Sequence, residues 1–463
     1  MKTPDTSQLP SSQTGAESSS RLNITVVYIA LIAALGGLLF GFDTAVISGT
    51  TDWLKSHFAL SDFWLGFTVS SALIGTIIGS IAIGRPADVL GRRSILFILA
   101  AFYCVSALGC AMAWDWWSFL AFRFLGGLAV GGASVASPMY IAEIAPARYR
   151  GRLVAFAQFN IVLGVLLAYL SNYIIVNLQL GESQYRWMFG VMAAPSVVFF
   201  LLLFFTPQSP RWLVARNRAA EARMVLEKCG TDAGGVDDEI REIQASLDVE
   251  HHALNEPFFC RKYLKPIMLA VAIAMFNQLS GINAILYYSA HIFEMAGSGT
   301  QSAMGQSVII GFTNLVFTVA AMAVIDHFGR RRLMIAGSIG YIVSLVAAAY
   351  AFYTHTGGKL LLISLLVFIA SHAFGQGAVI WVFISEIFPN RVRARGQALG
   401  TFTHWVMCAA ISWTFPMIAA KSGGNTFAFY AVCMVGQLFW VLLLMPETKG
   451  ISLERIQKHL GIE

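Results

Sequence analysis

Long apolar runs alternate with short charged connections along the whole chain. Runs free of Asp, Glu, Lys and Arg cover residues 63–84, 94–114, 153–181, 187–210, 266–293, 295–325, 333–358, 360–385, 396–420 and 422–446, each at least 21 residues long. Two more stretches, 22–51 and 116–142, carry one charge each, Asp43 and Arg123. About 20 apolar residues cross a bilayer as a helix. The pattern therefore predicts twelve transmembrane helices, an all-α polytopic membrane protein. Barrel strands would read as short alternating segments instead.

Composition agrees. The chain has 463 residues, 57% hydrophobic and 12% charged, and its mean hydropathy is +0.67. Soluble proteins average about 45–50% apolar and about 25% charged. A soluble enzyme, a disordered protein and a nucleic-acid binder are excluded. The net charge of +6 matters less than its placement. Of 31 Lys and Arg, 26 fall on the face that holds both termini, four on the other, and Arg123 lies within a span. Positive charge marks the cytoplasmic side, so both termini are expected there.

Residues 1–22 read as a polar, disordered tail with no cleavable signal pattern. A six-helix bundle is expected over 23–206, a cytoplasmic linker over 207–265 and a second bundle over 266–446, followed by a tail over 447–463. Within the linker, 217–229 and 236–248 suit short amphipathic helices. The six cysteines form no CxxC pair and read as small apolar fillers. His57, His291, His355 and His372 are scattered and are assigned no metal or catalytic role. Gly126-Gly127 and Gly131-Gly132 lack the strand-then-helix context of a nucleotide loop and suit close helix packing. No cofactor or metal is expected.

The halves repeat. The loop holding Asp88, Gly91, Arg92 and Arg93 recurs as Asp326, Gly329, Arg330 and Arg331, 238 residues later. Glu143, Pro146, Arg148 and Arg150 recur as Glu386, Pro389, Arg391 and Arg393, 243 residues later. Pro207 recurs as Pro446, 239 residues later. One near-constant offset means a duplicated six-helix unit in parallel orientation, suited to two bundles rocking about a central site. Asp88, Arg92, Arg93, Glu143, Arg150, Asp326, Arg330, Arg331, Glu386 and Arg393 could form a cytoplasmic latch. The plainer reading is charges that only set topology.

Several motifs carry a family likeness across residues 28–455. They are Gly36-Gly-Leu-Leu-Phe-Gly41-Phe-Asp43, Arg123-Phe-Leu-Gly-Gly127, Pro138-Met-Tyr140-Ile-Ala-Glu143, Gln278-Leu-Ser-Gly281-Ile-Asn283 with Tyr287-Tyr288, Trp381-Val-Phe-Ile-Ser-Glu386-Ile-Phe-Pro389 and Pro446-Glu-Thr-Lys-Gly450. On these motifs the chain resembles the sugar porters of the major facilitator superfamily, in particular bacterial proton-coupled sugar symporters of the xylose/proton kind. Facilitative hexose carriers share most of the marks. The resemblance implies a non-enzymatic importer of a monosaccharide, hexose or pentose, driven by protons and working as a monomer in a bacterial inner membrane. The alternative is a proton-independent uniporter of the same fold.

Asp43 and Arg123 are the acid and base well inside spans. Intramembrane charges are costly and point to function. A carboxylate beside a cation can hold or release a proton as pairing and solvent access change. A static structural pair is the alternative. Proton-coupled members carry Asp at the place of Asp43, where many uniporters carry Asn.

A sugar site needs neutral donors and acceptors and an aromatic face in an apolar pocket. The resemblance places Gln158, Asn277, Gln278, Asn283, Asn314, Trp381, His404 and Trp405 against the sugar, with Phe40 and Tyr287 covering it. A helix–helix hydrogen bond is the plainer role for any single buried amide. The chain also departs from the family. Asn277-Gln278 replaces Gln-Gln, Ala378 replaces a proline and is expected to change how span 10 bends, and His404 replaces Gln or Asn. Val165 replaces a second glutamine, Gln208 replaces Glu, and Val89 replaces the common Arg. These changes leave the sugar open.

Overall fold

The structure is a computed structural model and describes residues 23–462 apart from 147–148, 232, 254–256, 357, 390, 452 and 461. The expected tail over 1–22 lies outside the described residues. Among the described residues, twelve helices long and apolar enough to cross a membrane follow one another, here numbered spans 1 to 12. Spans 1–6 are Ile24–Gly49, Asp62–Ala82, Arg92–Met112, Trp116–Ile144, Arg150–Asn177 and Gly181–Phe205. Spans 7–12 are Arg261–Tyr287, Thr300–Ile325, Arg330–Thr354, Gly358–Ile387, Arg393–Ala419 and Gly423–Leu443. Spans 1–6 and spans 7–12 form two six-helix bundles. Between them run helices at Pro210–Ala215, Ala219–Lys228 and Ala233–Ala253. A further helix, Leu453–Leu460, follows span 12.

Small residues let the spans approach backbone to backbone. A Cβ on Gly41 would lie 1.8 Å from the Ile161 carbonyl oxygen, and one on Gly164 would lie 2.0 Å from that of Leu38. Spans 1 and 5 are thus locked by a reciprocal pair. Gly127 and Gly131 play the same part between spans 4 and 2, against Ala72 and Thr76. Without a hydrophobic drive between helices in lipid, such contact supplies the packing energy. Gly126 and Gly132 face Ser106 and Leu99 instead.

Three spans are broken, and the breaks place the polar groups. Span 7 stops at Gly281, whose φ of +84° favours glycine, and restarts at Ile282. A short helix, Ser289–Met295, extends it beyond the span. Span 6 is interrupted between Gly190 and Ala193. Span 10 carries a π-helical turn over Ala373–Gly377 just before Ala378, where Gly375 packs on Gly337. A π-turn is a usual way to bend a helix when proline is absent.

The bundles meet toward the face opposite the termini. There the Ser70 hydroxyl donates to the Ala409 carbonyl at 3.0 Å, and the Tyr169 hydroxyl to that of Leu286 at 2.7 Å. Gly66 abuts Trp413, and Gly311 abuts Leu166 and Tyr169. All lie in the halves of their spans remote from the termini.

Candidate functional site

Asp43 sits on span 1 and Arg123 on span 4, both buried at 4% and 1% exposure. Arg123 Nη1 donates to Asp43 Oδ1 at 2.7 Å. Gly126, one turn from Arg123, leaves room for Ser106: a Cβ there would lie 2.4 Å from Ser106 Oγ, and in ordinary contact, 3.5 Å, with Asp43 Oδ1. The guanidinium also lies 5.7 Å from the Phe189 ring centre. Its Nε and Nη2 are buried without a partner. The pair is therefore under-satisfied. Breaking a buried ion pair by removing one member costs about 3–5 kcal/mol.

Asn277, Gln278, Asn283 and His404 of the second bundle form one connected group. Asn283 Nδ2 donates to Gln278 Oε1 at 2.8 Å. The five-residue spacing does not separate them, because the turn at Gly281 folds the chain back. Gln278 Nε2 donates to Asn277 Oδ1 at 2.9 Å and lies 3.2 Å from His404 Nδ1. The His404 ring lies 5.2 Å from Trp381 and 5.0 Å from Trp405, and Trp405 lies 5.6 Å from Phe40 of the first bundle. Trp381 is 39% exposed, whereas Trp405 and Tyr287 are buried.

Asn314 and Gln158 lie outside this group. Asn314 is buried and accepts from Thr318 at 3.4 Å. Gln158 is exposed on span 5. Asn277 is turned into its own bundle, its Nδ2 3.5 Å from Gln376 Oε1. Behind it Gln376 donates to Gln437 at 2.6 Å, and Gln437 to Ser338 at 2.8 Å. This chain of amides was not read from the sequence. Lone amides inside apolar runs give no sign of which partner they meet. His372 is likewise tied inside the bundle, 2.5 Å from the Tyr341 hydroxyl.

On the termini face the repeated charges form two matching clusters. Arg92 pairs with Glu143 at 2.9 Å and with Asp88 at 3.0 Å. Arg330 pairs with Glu386 at 2.9 Å. Ser209 donates to the second oxygen of Glu143, as Thr448 does to that of Glu386 at 2.6 Å. Fewer of the charges expected in a latch come together. Arg93 and Arg331 do not join the acids. They donate to the carbonyls of Leu203 and Phe204, and of Val441 and Leu442. Those are carbonyls at the negative ends of spans 6 and 12, where cations are favoured. Arg150 is exposed. Arg393 keeps Nε and Nη2 buried without a partner. The side chain of Asp326 lies outside the described residues.

A third cluster was not anticipated. On the opposite face His291 Nδ1 lies 2.8 Å from Asp52 Oδ1, and Glu294 stands beside them. Burial opposes charge on Asp52, but hydrogen bonds from His291 and Glu294 outweigh it and lower the carboxyl to about 2. Burial and the neighbouring Asp52 push Glu294 up to about 8.

Comparison with known proteins places this arrangement. The sequence profile of the Sugar (and other) transporter family matches residues 29–460. The D-xylose-proton symporter of Escherichia coli (strain K12) is 37% identical, covering 93% of this chain and 94% of its own. The glucose transport protein of Synechocystis is 34% identical, covering 95% and 98%. The partially occluded inward open conformation of the xylose transporter XylE from E. coli superposes with a TM-score of 0.83 at 36% identity, covering 93% of this chain and all of that one.

Proposed function

Because the chain belongs to the sugar transporter family of the major facilitator superfamily, we propose that it imports a monosaccharide together with protons by alternating access. One observation carries the coupling. Phe40 and Asp43 lie three residues apart on span 1, hence on one face. Phe40 touches Trp405 beside the Gln278–His404 group, and Asp43 holds Arg123. A sugar that packs against the aromatic pair moves the helix that carries the proton site. Protonating Asp43 removes the charge that Arg123 balances, loosens spans 1 and 4, and frees the bundles to rock. Sugar and proton thereby each favour the same movement, which is what coupling requires.

In this reading Gln278, Asn283 and His404 hydrogen-bond the sugar, with Asn277 holding Gln278 in place. Gln158 and Asn314 complete the site from spans 5 and 8. Trp381 and Trp405 supply its aromatic walls, and Phe40 and Tyr287 its cover. The Arg92–Glu143 and Arg330–Glu386 clusters hold the inner ends of each bundle while that face is open. We place both termini in the cytoplasm of a bacterial cell, with functional units at 23–206 and 266–446 joined by 207–265, and take the monomer as sufficient. With that orientation the bundles touch on the outer face and the site communicates inward, in keeping with the inward open relative.

The test is the external pH of lightly buffered proteoliposomes on adding a panel of hexoses and pentoses. Alkalinisation with one sugar, abolished by a protonophore, is expected. Counterflow of a labelled sugar without any pH response would instead establish a uniporter.

A further inference from the structure

The outer-face group of Asp52, His291 and Glu294 is distinct from the transport site and has ligand chemistry of its own. Asp52 lies on the short helix Thr51–His57 that extends span 1. His291 and Glu294 lie one turn apart on Ser289–Met295, the extension of span 7. The offset between Asp52 and His291 is 239 residues, the repeat distance of the molecule. The extensions are therefore equivalent elements of the two bundles, and they meet where the repeat axis leaves the protein. That position brings one imidazole nitrogen and two carboxylate oxygens within 4.8 Å of one another.

We propose that Asp52, His291 and Glu294 form a site for a divalent transition-metal ion of the zinc type, which clamps the bundles together on the outer face. A mixed nitrogen and carboxylate-oxygen set suits such an ion, and three protein ligands leave a fourth position for water. Ligation at about 2.0–2.2 Å draws the three groups together by rotamer adjustment. Asp52 has that freedom, with its side chain 47% exposed, and the His291 side chain is 20% exposed. Around the site, Lys55 is engaged by Asp62 at 2.5 Å, and Thr300 hydrogen-bonds Glu294. One ligand comes from the first bundle and two from the second, so the ion can be fully ligated only when the outer face is closed. Occupancy then opposes opening, and external metal acts as an inhibitor.

The experiment uses tag-free, chelator-stripped full-length protein. Zn²⁺ binding is measured by calorimetry on wild type, His291→Ala and Glu294→Gln. We expect one ion per chain in wild type and at least about tenfold weaker binding in each variant. Absence of saturable binding by wild type, or equal binding by His291→Ala, overturns the site. Binding is read without transport, so its failure is separate from failure of the transport reading. In proteoliposomes where sugar uptake is active, external Zn²⁺ should slow wild type and leave His291→Ala at its metal-free rate. Equal inhibition of both would overturn the clamp.

Discussion

The two charge clusters on the termini face share one scaffold and differ by one acid. Gly91 and Gly329 begin spans 3 and 9 with nearly identical backbones, φ +90° and ψ 151° against φ +86° and ψ 154°. After each glycine the first arginine, Arg92 or Arg330, meets a glutamate on the next span, Glu143 or Glu386. In the second bundle Glu447 then accepts from the backbone N–H groups of Arg330 and Arg331 at 3.0 and 3.2 Å. It thus puts a carboxylate at the start of span 9, where the helix dipole favours an anion. In the first bundle Gln208 takes that place. It donates to Ser94 at 3.0 Å, and its Oε1 is buried without a partner. Backbone geometry is thus held by the repeat, while the strength of each cluster is tuned by a single side chain.

The largest effect should come from removing the shared acid. The Arg92–Glu143 side chains are 9% and 10% exposed, against 11% and 24% for Arg330–Glu386. Glu143→Gln should cost about 3 kcal/mol of stability, and Glu386→Gln less. Thermal unfolding in detergent would measure both, and the reverse order would break the comparison.

Exchanging the differing residue sharpens it. Glu447→Gln should cost about 1 kcal/mol, within the range for a helix-terminal charge. Gln208→Glu should gain a similar amount, since it puts a carboxylate at the start of span 3 as Glu447 does at span 9. If Gln208→Glu destabilises, the clusters are not equivalent after all.

The last effect concerns the outer face, where equivalent elements of the two bundles meet. Glu294 has its carboxyl raised from 4.5 to about 8 in the folded protein. A raised acid keeps its proton when folded and loses it when unfolded, so stability should fall as pH rises from about 5 to about 8. Asp52, lowered to about 2, stays charged throughout that window. Metal-free Glu294→Gln should flatten the slope, and an unchanged slope would remove Glu294 as its source.

Much of this was legible before any coordinates. Twelve spans follow from apolar length, and the clusters follow from acids and arginines recurring at one offset. The one-acid difference between the clusters was visible as Gln208 in place of Glu. The amide chain from Asn277 through Gln376 and Gln437 to Ser338 was not, because burial inside apolar helices leaves no periodic signal. The Gln278–Asn283 contact depends on the left-handed turn at Gly281, which spacing along a regular helix does not suggest. His291 reads as one of several scattered histidines. Only the packing of two helix extensions brings it to Asp52.

The central claim is that Asp43 carries the proton. The most direct test compares wild type with Asp43→Asn in the same vesicles, measuring accumulation under a proton gradient and exchange at equilibrium. Loss of accumulation with exchange retained is the result this account predicts. Sugar concentrated against its gradient by Asp43→Asn would contradict it.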